Sequence, residues 1–187
     1  MDTLASWIAT AATIIAACMT ASNLGARITG YGFAVFTIGS IAWFTVGLQT
    51  GQPALMWTNV AMTALNLFGV WRWLGRQAKV EEGGEAAAVA SGSAPGETLF
   101  PASLLMRAKV RCGDTHVGTC TDAMAGCSSG RLSYVVVSEG GIAGVGETLR
   151  RLPWSQAQMD GEELVAKLPP DRFASLETVK RDEWPSR

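Results

Sequence analysis

Between Ile28 and Leu74 the chain carries a single charged side chain, Arg72, and it lies close to the end of that stretch. So long an apolar stretch has to leave water, and its length suits a lipid bilayer. Three runs of 21 residues can be laid out, 4–24, 28–48 and 54–74. At about 1.5 Å of rise per residue each crosses a hydrocarbon core of roughly 30 Å, so the sequence predicts three transmembrane helices. The first run is preceded by Asp2 and by no Lys or Arg. It is also longer than the apolar core of a signal peptide, so it is expected to be retained.

Charge divides the chain in two. Residues 1–80 hold Asp2, Arg27, Arg72, Arg76 and Lys79 and carry +3, whereas 81–187 hold 11 basic and 15 acidic groups and carry −4. The first part reads as membrane and the second as water-soluble. Arg27 lies between runs 1 and 2, the loop 49–53 is uncharged, and Arg72, Arg76 and Lys79 close run 3. The positive-inside rule then puts the N-terminus outside and the water-soluble part in the cytoplasm. Neither part has the dense basic patch of a nucleic-acid binder.

Polar groups inside the apolar runs need partners. Asn59, Thr63 and Asn66 recur at i, i+4 and i+7, one stripe on one helix face. Such a stripe serves either as glue between helices or as the wall of a solute path. Small residues at four-residue spacing (Ala5, Ala9, Thr13 and Ala17; then Gly32, Phe36, Ser40 and Phe44, and Gly39, Trp43 and Gly47) allow close helix approach in lipid. Three short helices enclose little interior, so self-association is expected, most simply a two-fold dimer with the stripes face to face.

The pattern Gly39-x-x-x-Trp43-Phe44-x-x-Gly47, then Pro53 and Asn59-Val60, resembles spans 2 and 3 of the SemiSWEET sugar transporters, over roughly residues 5–76. The resemblance implies a bacterial inner-membrane protein of three helices that dimerises around a sugar pocket. It assigns the pocket tryptophan and asparagine to Trp43 and Asn59, with Thr63 and Asn66 on the same stripe. One departure is plain: the family carries a Pro-Gln pair in span 1, and run 1 here has neither residue.

Residues 80–96 are small and acidic and predict a flexible tether. Beyond them the runs 108–112, 117–122, 132–138, 148–153 and 163–168 read as strands divided by Gly, Asp and Ser turns. The continuous Tyr134-Val135-Val136-Val137 predicts a central strand covered on both faces. Glycines at 140, 141, 144 and 146 predict a loop with positive φ, and 169–176 a short helix begun by proline. Gly118-x-x-x-Asp122, Gly130-Arg131-x-x-Tyr134-Val135-Val136-Val137, Gly140-Gly141-x-x-Gly144-x-Gly146 and Pro153-Trp154 together resemble a PRC-barrel over about 102–168. That resemblance implies a protein-binding or assembly module without catalytic residues. It also makes 160–185 an acidic tail.

Enzymatic and metal chemistry find little support. His116 is the only histidine, and no serine sits in a nucleophile elbow. Cys112, His116, Cys120 and Cys127 lack the C-x-x-C knuckle of a zinc site, and buried thiols in strands act as small hydrophobes. Cys18 lies apart, so no disulfide framework is expected. No cofactor is implied. The expected fold is therefore α + β in a membrane. It comprises a three-transmembrane-helix bundle (1–79), a linker (80–100), a small antiparallel barrel (101–168) and a helical, acidic tail (169–187). Two functions follow. One is a SemiSWEET-like carrier of a small neutral solute such as a sugar; the other is a membrane-anchored adaptor that docks a larger complex through its second domain.

Overall fold

The computed structural model describes residues 4–141 and 146–186. Asp2 and residues 142–145 of the glycine loop, Gly144 included, lie outside them. The chain divides into two compact units, one through Ala86 and one from Ala87.

The first unit is helical: α1 (Leu4–Ala21), α2 (Ala26–Thr50) and α3 (Pro53–Val70), then a π-helical segment (Trp71–Gln77) leading into α4 (Ala78–Ser91), whose last residues, from Ala87, belong to the second unit. Two of these, α1 and α2, are long and apolar enough to cross a membrane by length and composition. The third helix is as long as α1, but Asn59, Thr63, Asn66 and the first-turn Pro53 lower its mean hydropathy. By that test the structure shows two of the three expected spans.

Helix α2 packs against both α1 and α3. Its contact with α1 is a seam of small residues. Ala9, Ala12 and Ala16 are buried, a helical i, i+3, i+7 stripe. Facing them is Gly39, where an added Cβ would stand 3.3 Å from Thr13 Oγ1 and 3.5 Å from Ala12 Cβ. Of the row expected on α1, Ala9 is in the buried seam. Toward α3 the approach is tighter, because a Cβ at Gly69 would overlap the Phe33 ring.

Residues 80–91, expected as tether, are helical within α4. The run Glu81-Glu82 and Glu85-Ala86-Ala87-Ala88 consists of strong helix formers, and that propensity outweighs the small, polar composition.

The second unit is a seven-stranded sheet. Its strands are β1 (Lys109–Cys112), β2 (Thr115–Ala125), β3 (Leu132–Glu139), β4 (Thr148–Pro153), β5 (Ala157–Asp160), β6 (Glu163–Ala166) and β7 (Thr178–Val179), in the order β5-β6-β1-β2-β3-β4-β7. All neighbours are antiparallel except β1 and β6, which run parallel. The sheet is mixed and open, with β5 and β7 at its edges, so the expected closed antiparallel barrel is corrected. Short helices α5 (Ala102–Leu105) and α6 (Pro170–Ala174) flank it.

The central strand is as expected: β3 lies between β2 and β4, and Tyr134 through Val137 are all buried. Strand pleating sends Val135 and Val137 to one face, where they join Val110, Cys120, Leu152, Leu164 and Phe173 of α6. Tyr134 and Val136 face the other way, against Leu149, Val179 and Trp184. The acidic tail is therefore part of the sheet unit. It supplies a strand, and Tyr134 Oη donates to the Pro185 carbonyl at 2.7 Å. Gly140, Gly141 and Gly146 take positive φ as the turn reading requires.

Candidate functional site

The polar stripe of α3 meets α2 at Ser40. Ser40, Asn59 and Asn66 are the buried polar residues of the described chain. Ser40 follows Gly39, and its hydroxyl reaches back to the Phe36 and Thr37 carbonyls at 3.0 Å each. That back-bonding satisfies the serine proton within its own helix and leaves the oxygen as an acceptor for α3.

Thr63 Oγ1 stands 3.0 Å from Ser40 Oγ and 2.7 Å from the Asn59 carbonyl, so its one proton goes to one of them at a time. Asn66 Nδ2 approaches Ser40 Oγ at 3.5 Å. Asn59 Nδ2 donates to the Leu55 carbonyl at 2.8 Å. Among the described residues its Oδ1 accepts no hydrogen bond.

Beside Asn59 lies a cleft of about 230 Å³ lined by Ile41, Phe44, Asn59, Val60 and Thr63. The structure thus brings Asn59 and Thr63 to one cleft and turns Asn66 to Ser40. Trp43 is half-buried on α2 and is not among the residues lining the cleft. Phe44, one residue on, takes the aromatic place. The sequence reading used Ser40 only as a small residue; its role needed the α2–α3 register.

A second concavity was not foreseen. In the sheet unit a groove of about 660 Å³ runs beside β5, with Leu99, Phe100, Trp154 and Met159 among its walls. The Phe100 and Trp154 ring centroids are 5.8 Å apart. The groove borders an open edge. Asp160 and Glu163 pair across a two-residue turn, and Lys167 N–H donates to the Gln156 carbonyl at 2.7 Å. That parity turns the backbone groups of residues 156, 158 and 160 toward β6 and those of Met159 away from it.

Neither comparison identifies a family: no family model matches this chain, and no curated protein matches it.

The cysteines and His116 do not converge. Cys112 and Cys120 are buried in the sheet core, whereas His116 and Cys127 are exposed. Burial, with a smaller contribution from the Asp122 charge, pushes the Cys120 thiol up to about 12. Burial raises Cys112 as well. Both thiols are therefore held protonated, the unreactive form.

Proposed function

We propose that this chain is a membrane-anchored adaptor. Its helical unit sits in a bacterial inner membrane and its sheet unit docks a partner protein on the cytoplasmic side. The observation that carries the reading is the use made of the polar stripe. Thr63 and Asn66 turn to Ser40 across the α2–α3 contact, which is what interhelical glue does in lipid. The Lys/Arg asymmetry supports the cytoplasmic side for the sheet unit. The groove of Phe100 and Trp154 supplies a concave, aromatic docking place of the kind hot spots occupy. The likeness to PRC-barrels, read from the sequence motifs, points the same way.

The test is a photo-crosslinking side chain placed at Ser155 in native membranes. A discrete adduct that disappears with Trp154→Ala supports docking. An adduct pattern unchanged by Trp154→Ala contradicts it.

One observation favours the carrier. Asn59 presents an open Oδ1 beside a cleft, and a sugar hydroxyl is a suitable donor to it. A dimer with the Asn59 stripes facing would enlarge that cleft, as the SemiSWEET resemblance implies. Uptake into vesicles separates the two readings.

A further inference from the structure

The π-helical segment after α3 changes which side chains stack. Its hydrogen bonds run from residue i to i−5, as in Ala78 N–H to the Trp73 carbonyl. In an uninterrupted α-helix, residues five apart point to different sides. Here the wider turn sets the Arg76 guanidinium 5.9 Å from the Trp71 ring centroid, and Trp71 packs at a tilt of 39° against Phe68 with centroids 5.5 Å apart. Leu74 anchors the segment, since its side chain fills the space where Gly30 of α2 lacks a Cβ.

The cations of this segment are poorly compensated. Arg27, in the first turn of α2, pairs with Glu82 at 2.7 Å, and a Glu81 oxygen accepts the Ala26 N–H at 3.3 Å. Those carboxylates are thus engaged at the start of α2. Among the described residues neither Arg72 nor Lys79 makes an ion pair, and Arg72, Arg76 and Lys79 are all exposed. Trp71, also exposed, lies among them. Three cations within eight residues, a tryptophan at their side and an apolar helix before them match one chemistry in charge and shape. It is a phosphate group held at the edge of hydrocarbon, where tryptophan prefers the headgroup level and arginine bonds phosphate oxygens in pairs.

We propose that Trp71, Arg72, Arg76 and Lys79 form a seat for the headgroup of an anionic phospholipid. The proposal rests on the membrane reading of the helical unit and adds to it a lipid specificity. The seat faces the leaflet toward which the Lys/Arg distribution points, and anionic lipid there attracts such basic segments.

The test uses the full chain purified in mild detergent, with native mass spectrometry of bound phosphatidylglycerol against phosphatidylcholine. The parent is expected to retain phosphatidylglycerol preferentially. Arg72→Gln/Arg76→Gln/Lys79→Gln is expected to lower that preference on the order of a hundredfold, from about fivefold per charge. Arg72→Lys/Arg76→Lys, which keeps the charge, is expected to keep most of the preference, and helix content by circular dichroism checks that each variant is folded. Equal retention of the two lipids, or a preference unchanged in the triple glutamine variant, would overturn the proposal. So would displacement of the lipid by inorganic phosphate at equal concentration, since the seat would then read phosphate alone. Extraction of the parent from membranes by alkaline carbonate would overturn the membrane reading as well. A parent that resists carbonate yet shows no lipid preference overturns only this inference.

Discussion

Thr63 Oγ1 lies 3.0 Å from Ser40 Oγ and so joins α3 to α2 through two side chains 23 residues apart in sequence. Ser40→Ala removes the acceptor that Thr63 and Asn66 share. Interhelical hydrogen bonds in membrane proteins average about 0.6 kcal/mol and reach about 1.7 kcal/mol. Ser40→Ala is expected to fall near that average, because Asn66 loses its acceptor while Thr63 keeps the Asn59 carbonyl. Denaturant unfolding in micelles, followed by helix circular dichroism, measures it. Thr63→Val in the Ser40→Ala background should cost little more.

The Gly69–Phe33 contact is steric. Gly69→Ala places a methyl group into the Phe33 ring and should destabilise the helical unit by about 1–3 kcal/mol, as overpacking does. Phe33→Ala alone should also destabilise. The double variant is expected to be more stable than the sum of the two losses, and a double-mutant cycle reads that coupling directly.

Burial of the Cys120 thiol makes the stability of the sheet unit depend on pH. The folded value, about 12, exceeds the ordinary thiol value near about 8.5, so the folded state holds the proton more tightly. That contribution is fully present below about pH 8.5 and is lost as pH rises toward 12. Cys120→Ala should flatten this part of the alkaline stability curve. With a maleimide reagent near neutral pH, Cys127 should react in the folded protein while Cys112 and Cys120 wait for unfolding.

At the sheet's second face, Trp184 packs over Tyr134 and Val136 while its Nε1 is buried without a partner among the described residues. Trp184→Phe keeps most of the packing and removes the unpaired donor, so it should lie within about 1 kcal/mol of the parent. Trp184→Ala should cost about 2–4 kcal/mol, somewhat less than a fully buried tryptophan would. Thermal melts of the two variants compare them.

The strands that could be read from sequence were those that carry their own signal. β3 was legible from Tyr134-Val135-Val136-Val137, whose β-branched run matches a strand covered on both faces. β5 was not, because Ala157-Gln158-Met159-Asp160 has no β-branched residue and is held by its pairing with β6. Closure is not legible in the sequence for a related reason. Whether a sheet closes depends on pairings such as β1 with β6, more than fifty residues apart, and local composition says little about them. In the helical unit the Asn59, Thr63 and Asn66 spacing gave the stripe on one face of α3. Which of them meets Ser40, and that Phe44 rather than Trp43 lines the cleft, depends on how α2 is rotated against α3. A periodicity within one helix does not fix that rotation.

The adaptor reading is tested most directly by uptake of a panel of labelled sugars into proteoliposomes holding the folded full chain, with Asn59→Ala alongside. The account expects no uptake above that of empty vesicles, in the parent and the variant alike. Uptake by the parent that Asn59→Ala abolishes would contradict it and establish the carrier.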